Sequence, residues 1–349
     1  MEQQTASRLA SVAIRRALPD VAQGSVEQYY ATHGTVLPDP DRRTKSVRDM
    51  GYHLDYLCES LWVDEPELFS NYVGWAAELF ASLGFAPQLL PDSLDAVWTE
   101  LNKRLAPDQL ESVMHYFVMA HGRLAENAVT PSHLVRSAPH SALAATYLEY
   151  LLAGRRQAAT QFILDAVRGG TSVQDIYLHV FQPTQREIGR LWQLNRITVA
   201  QEHYVTAATQ FIMAQLYPYI FAVKRVGARL VAASVGDELH ELGIRMVADF
   251  FEMAGWDTYY IGANTPIKDL LATVSDQRAD VLAISVTLST HLTRLADVVD
   301  AARRLPEPPI ILVGGYPFNI SSDLWRRLGA DGSAMDAQSA VRLAESLLT

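Results

Sequence analysis

The chain has 349 residues, 49% hydrophobic and only 19% charged, enough for two or three domains with cores of their own and too apolar for a disordered polymer. Its net charge of −10, with Lys and Arg never clustered beyond a pair, leaves no electrostatic footprint for nucleic acid, and no apolar run approaches a membrane span. The single cysteine, Cys58, excludes an intrachain disulfide and a Cys-ligated zinc site, and together with the absence of a leader-like segment fits a reducing cytoplasm.

Taken in chain order, residues 1–17 read as a short amphipathic helix, and residues 18–41, with Gly24, Gly34, Pro38 and Pro40, as an irregular connection. Ser46-Val47-Arg48-Asp49 reads as a capping-box variant opening a helix whose apolar positions, Val47, Met50, Leu54, Leu57, Cys58 and Leu61, follow at helical spacing. Helices follow at residues 65–83, with Pro66 in the first turn and Gly84 ending it, then at 91–105 and 107–125. Residues 129–139, with Pro131 and Pro139, mark a boundary. Four further helical runs, 141–153, 155–168, 172–193 and 198–221, have connections short enough for an antiparallel bundle. Beyond them the period changes. Strand-like runs at 229–233, 258–261, 281–284 and 310–313 alternate with helical runs at 244–254, 267–275, 288–305 and 323–328, and residues 337–348 close the chain, a pattern that specifies a doubly wound parallel sheet. The fold class is therefore α plus α/β, in three parts: a helical part at 1–137, a four-helix cap at 138–226 and a Rossmann-like domain at 227–349.

Chemistry concentrates at the first strand-to-helix loop of the sheet, Ser234-Val235-Gly236-Asp237-Glu238-Leu239-His240-Glu241-Leu242-Gly243. Glu238-x-His240-x-x-Gly243 sits at the carboxyl edge of the sheet, where open α/β folds bind ligands. An imidazole there can ligate a metal while a carboxylate two residues back holds its other nitrogen, and Gly243 allows a bulky group close to the helix start. A helix-capping or solvent-facing histidine is the plain alternative. No Gly-x-Gly-x-x-Gly loop is present, so a nicotinamide-binding reading has no support.

This motif resembles the Asp-x-His-x-x-Gly signature of cobalamin-binding domains, with Glu238 in place of the usual Asp. The resemblance implies that His240 is the lower cobalt ligand. It extends to Ser285-Val286-Thr287 after the third strand and Gly314-Gly315 after the fourth, which in that family line the slot for the nucleotide tail; Thr287 departs from the common Ser-x-Leu. In the bundle, Trp192 followed after nine residues by Glu202-His203 resembles the signature of cobalamin-dependent photoreceptors of the CarH type. That likeness implies that Trp192 packs on the adenosyl group of adenosylcobalamin, Glu202 hydrogen-bonds it, and His203 takes the upper coordination site after light. A core tryptophan and an exposed first turn are the bland reading of the same residues.

The usual helix-turn-helix partner of such photoreceptors is missing here. Residues 49–57 with Leu68-Phe69-x-x-Tyr72-x-x-Trp75 are similar instead to the N-terminal part of photocobilins, which implies a biliverdin site. His53, Tyr56, Tyr72, Trp75, His115, Tyr116 and His121 are rings suited to a flat acidic tetrapyrrole, with Arg48, His53, His115 and Arg123 as candidate partners for its propionates, although such stripes are mostly core. Cys58 is expected to be a buried small hydrophobe, so any bilin is held non-covalently. The expected function is light sensing through adenosylcobalamin by a protein that is not an enzyme, forms a light-dependent homo-oligomer and passes its signal to an unidentified effector. A corrinoid carrier of a methyltransferase system is the alternative. A mutase would need a substrate barrel for which the length leaves no room, and a transport or storage module is a third rival.

Overall fold

The structure, a computed structural model, describes residues 5–34, 39–126, 129–221 and 224–349. It divides into two compact units, one formed by Met1–Val129 with Leu288–Thr293, the other by Thr130–Thr287 with Arg294–Thr349.

The first unit is all-helical: α1 (Ala6–Arg16), α2 (Leu18–Thr32), α3 (Pro40–Trp62), α4 (Pro66–Ser82), α5 (Leu89–Asn102) and α6 (Pro107–Glu126). Two expectations are corrected here. The stretch expected to be irregular is mostly the helix α2, which opens with Pro19 in its first turn. Gly24, taken from sequence as a breaker, lies inside it because a Cβ there would meet the Glu100 carboxyl carbon at 2.6 Å; the glycine lets α5 approach. Likewise α3 begins at Pro40, six residues before the expected capping box, since Asp39 is its N-cap and accepts from the Arg42 N–H at 3.1 Å. Residues 1–4 and 35–38 lie outside the described residues.

The core of this unit gathers Ile14, Val21, Leu54, Leu57, Phe69, Val97 and Phe117 around the buried Cys58. Glu59, also buried, pairs with Arg15 at 2.8 Å and accepts from the backbone N–H and hydroxyl of Thr293 at 2.9 and 2.7 Å, which is how residues 288–293 belong to this unit. His53 sits in the same core with its Nδ1 2.8 Å from the Tyr72 hydroxyl, and Tyr72 stacks on Tyr56 at 3.7 Å between centroids.

In the second unit the bundle consists of α7 (Ser141–Leu152), α8 (Arg156–Arg168), a composite helix and α11 (Val199–Ile220). The composite helix, expected to be continuous, runs through α9 (Val173–Asp175) into a π-helical turn, Ile176–Phe181, and on into α10 (Gln182–Gln193). The turn carries Tyr177, whose hydroxyl donates to Asp249 Oδ2 at 2.8 Å. A capping box built by Thr198 and Gln201 fixes the start of α11.

The sheet that follows is entirely parallel, ordered β2-β1-β3-β4-β5. Its strands are β1 (Arg229–Ser234), β2 (Asp257–Gly262), β3 (Val281–Ser285), β4 (Ile310–Gly314) and β5 (Gly332–Ser333), interleaved with α12 (Leu242–Met253), α13 (Ile267–Gln277), α14 (Leu292–Ala302), α15 (Tyr316–Ile320), α16 (Leu324–Arg327) and α17 (Ala337–Leu348). The fifth strand escaped sequence reading because two residues, one of them glycine, make no apolar run. The helix expected from residue 288 starts with a 3-10 turn, Ser289–His291, before α14. Bundle and sheet share one core, in which Tyr147, Phe181 and Ile212 of the bundle join Leu230 and Leu312 of the sheet and Phe251 of α12. The strand order reverses between β1 and β3, so the crevice outside their carboxyl ends is the switch point at which such sheets take ligands.

Burial lowers the pKa of His53 from 6.5 to about 4. The unfolded chain therefore binds one more proton than the folded chain between those values, and stability must rise with pH across that window. From pH 7 to pH 5 the His53 contribution lost is about 2 kcal/mol. Urea unfolding of the full chain, followed by helical signal at the two pH values, should show this loss, and His53→Gln, which keeps a polar partner for Tyr72 without titrating, should remove most of it.

Candidate cofactor site

The site begins with the backbone after β1. Asp237 adopts φ 63°, a left-handed conformation that turns the chain back over the sheet edge. It is held there by its N–H donating to Asn264 Oδ1 at 2.9 Å and by its carboxylate pairing with Arg294 at 2.6 Å. The turn sends Glu238 inward and His240 outward: the Glu238 side chain is 0% exposed and that of His240 59%.

Glu238 is the anchor. Its Oε1 accepts from His240 Nδ1 at 2.6 Å and from the His240 backbone N–H at 3.0 Å, and its Oε2 accepts from the Thr287 N–H at 2.8 Å. The longer arm of Glu relative to Asp thus still reaches the imidazole. Thr287 contributes its backbone N–H here, which any residue at that position provides. With Nδ1 acting as donor to a carboxylate, the ring is fixed as the tautomer whose Nε2 carries the lone pair, and Nε2 has no hydrogen-bond partner among the described residues. The bond to Glu238 raises the His240 pKa against the opposing effect of burial, and the charges of Glu238 and Glu202 raise it further, which makes the imidazole a better electron donor to a metal.

The surroundings suit a large group over His240. A Cβ on Gly236, Gly243 or Gly314 would meet nothing closer than 3.8 Å, so these positions leave open space. Gly315 is glycine for a different reason: at φ 114° its Cβ would lie 1.9 Å from the Val286 carbonyl oxygen, so the missing side chain is taken up by the chain itself, not by a ligand ring. Ser285 is buried at the end of β3, where its carbonyl accepts from the Val235 N–H at 3.1 Å and ties the two loops together. Leu239, Tyr316 and Met335 are all exposed after the carboxyl ends of strands, an apolar surface that a flat ligand would cover. Among the described residues no group of three or more His, Cys, Asp or Glu could hold a metal ion. A metal carried in its own macrocycle needs only one protein ligand, and this donor set fits that case.

On the bundle, Trp192 at the end of α10 is 37% exposed. Glu202 and His203 lie in the first turn of α11, where Glu202 Oε2 holds His203 Nδ1 at 2.5 Å. The His203 side chain is 74% exposed, and its Nε2 also has no hydrogen-bond partner among the described residues. The arrangement repeats the carboxylate-imidazole pairing of Glu238 and His240. Both pairs lie in the second unit, one on the loop after β1 and the other at the start of α11.

Sequence reasoning missed Glu241, which accepts from Gln210 Nε2 of α11 at 2.9 Å and from the Ala263 N–H at 3.0 Å. Its position beside His240 was the only signal. His53 and Tyr72 are brought together, but onto each other in a packed core, and Arg123 pairs with Glu126 at 2.5 Å. The other rings named from sequence divide between core and surface: Tyr116 is buried, whereas His115 is exposed.

Replacing Glu238 by Gln should weaken cobalamin retention about tenfold or more, as loss of the group orienting a metal-bound histidine does elsewhere, and should shift the visible spectrum of what remains bound. Equilibrium dialysis against hydroxocobalamin checks this; wild-type affinity together with an unchanged spectrum would contradict the anchoring role.

Residues 228–342 match a family model described as a B12 binding domain, and residues 143–217 match a second model of the same description. Among curated relatives, dimethylamine corrinoid protein 3 of Methanosarcina acetivorans is 30% identical over 36% of this chain and 59% of its own length, and dimethylamine corrinoid protein 1 of the same organism is 26% identical over 46% and 77%. The HTH-type transcriptional repressor CarA of Myxococcus xanthus is 29% identical over 38% of this chain and 44% of its own length. The chain thus spans less than two thirds of the first of these relatives. The solved monomethylamine corrinoid protein of Methanosarcina barkeri superposes with TM-score 0.53 at 17% identity, over 60% of this chain and all of its own, and so shares the fold. No helix among the described residues is long and apolar enough to cross a membrane. The chain therefore carries B12-binding domains, a helical cap and a Rossmann-like sheet, similar to those of corrinoid proteins and CarA.

Proposed function

We propose that this chain is a cobalamin-based light sensor in which His240 is the lower cobalt ligand and Trp192, Glu202 and His203 attend the upper axial group. The observation that carries the reading is the second carboxylate-imidazole pair: His203 has Nδ1 held by Glu202, its ring is exposed, and its Nε2 has no hydrogen-bond partner among the described residues. Bound adenosylcobalamin would supply light absorption and a cobalt–carbon bond that light breaks. Trp192 offers a flat apolar wall to such a group, Glu202 an acceptor for its hydroxyls, and His203 a nitrogen ready to ligate without first losing a hydrogen bond. None of these residues is asked to move a proton or form a covalent intermediate, so the sensor works without being an enzyme. A change at the upper face reaches the bundle directly, because Trp192 ends α10 and Glu202-His203 begins α11.

A corrinoid carrier is the second reading, and the names of the matched relatives support it better than they support light sensing. Spectra of protein loaded in the dark and then exposed to green light separate the two. A sensor photolyses the adenosyl form irreversibly, and His203→Ala loses the stable illuminated spectrum while Trp192→Ala loses preference for the adenosyl form. A protein that ignores light and yields the methyl group of methylcobalamin to thiols is a carrier. Biliverdin in the helical unit would have to part the His53, Tyr72 and Tyr56 rings; co-production with a haem oxygenase gives a red-absorbing band if it does, and none if those rings are simply core.

A further inference from the structure

The cap contains a buried polar chain that the proposed chemistry does not by itself require. Tyr147 of α7 and Thr209 of α11 are both fully buried, with their hydroxyl oxygens 2.9 Å apart. Gln185 of α10 lies 2.8 Å from the Thr209 hydroxyl through one end of its amide and 3.2 Å from the Thr206 hydroxyl through the other. Thr206 lies 3.0 Å from Glu202 Oε1. Glu202, Thr206 and Thr209 are spaced i, i+4 and i+7, so they share one face of α11.

The proton count gives the chain a direction. Thr206 has one hydroxyl proton, yet with Gln185 Oε1 toward it that proton faces two acceptors, Gln185 and Glu202. Turning the Gln185 amide over, which exchanges ends of nearly equal shape, removes the conflict. The Tyr147 hydroxyl then donates to Thr209, Thr209 to Gln185 Oε1, Gln185 Nε2 to Thr206, and Thr206 to the Glu202 carboxylate. Burial pushes the Tyr147 phenol well above its ordinary range, which keeps the donor at the head of the chain protonated. Every member is satisfied, every proton points at Glu202, and successive bonds polarise one another. Burying such groups in a bundle costs free energy compared with apolar residues unless all are paired, so a network that ends on one surface carboxylate is best understood by what it does to that carboxylate.

We propose that Thr206 and Gln185, backed by Thr209 and Tyr147, are positioning residues that hold Glu202 Oε1 from behind as His203 holds Oε2, fixing the carboxylate in one orientation toward the upper face of the cofactor. The inference rests on the reading of Glu202 as a contact for the upper axial group, and specificity for that group is then set inside the bundle as well as at its surface.

The test measures dissociation constants of the full-length protein, in the dark, for adenosylcobalamin and hydroxocobalamin, and reads their ratio. Thr206→Val, nearly isosteric but without a donor, should reduce preference for the adenosyl form about three- to tenfold, on the scale of a weakened hydrogen bond to a charged group. Thr206→Ser should restore it, and Gln185→Leu should act in the same direction. Thr206→Val should add little in a Glu202→Gln background, because the two act through one carboxylate. A wild type that prefers the adenosyl form, with Thr206→Val and Gln185→Leu sharing that preference unchanged, overturns the positioning role while leaving the proposed function in place. A wild type with no such preference overturns the reading of Glu202 itself, and the inference with it.

Discussion

A carboxylate removed entirely from water has to be repaid by donors that converge on it, and Glu238 is in that position. It is fully buried at the switch point of the sheet, and three N–H groups from the loops after β1 and β3 meet on its two oxygens. Because unpaired burial of a charge is so costly, those loops cannot relax independently. The tautomer of His240, the path of the backbone through Asp237 and the approach of residues 285–287 form one cooperative unit. The exposed imidazole is therefore presented by a fixed base, as the proposed role of His240 as an axial ligand would require.

Around that base the site is assembled from two directions. In the proposed site the sheet would supply the lower ligand and open space over glycines at the strand ends, while the bundle would supply a ring wall and a second imidazole. Bundle and sheet meet through a shared apolar core and through a few polar contacts placed close to the chemistry: Gln210 to Glu241 beside His240, and Tyr177 to Asp249 on the helix that follows. Burial raises the Asp249 pKa to about 6 even with the Tyr177 hydroxyl and Arg245 opposing it. Such a carboxyl sits near the boundary of ionisation at physiological pH, so this contact is more easily loosened than the apolar packing beside it.

The sheet was legible because buried parallel strands read as short apolar runs separated by helical periods, and the motif residues could be placed on loops once the strands were placed. His240 with Glu238 was legible because ligand and orienting group lie two residues apart. Thr206, Gln185 and Glu241 were not, since their meaning comes from neighbours 21 to 31 residues away in the chain. Helix α2 was hidden by Gly24, whose role depends on Glu100, a residue no local pattern connects to it. Gly315, expected to leave room for a buried ring, has a reason for lacking a side chain that lies instead in a carbonyl on a neighbouring loop. The rings around His53 were expected either to serve a bilin or to be core, and in the structure His53, Tyr72 and Tyr56 pack on one another.

The π-helical turn at Ile176–Phe181 sets the phase of everything after it. An extra residue in one turn rotates all later side chains about 100° around the helix axis relative to an unbroken α-helix. The face that puts Tyr177 against Asp249 and the face that leaves Trp192 exposed are therefore set in phase by that turn. A chain lacking that residue could keep one of them in place, and not the other. The length of this helix thus fixes the direction of the Trp192 ring as much as the residue's identity does, and a chain with tryptophan and an unbroken helix would aim the ring elsewhere.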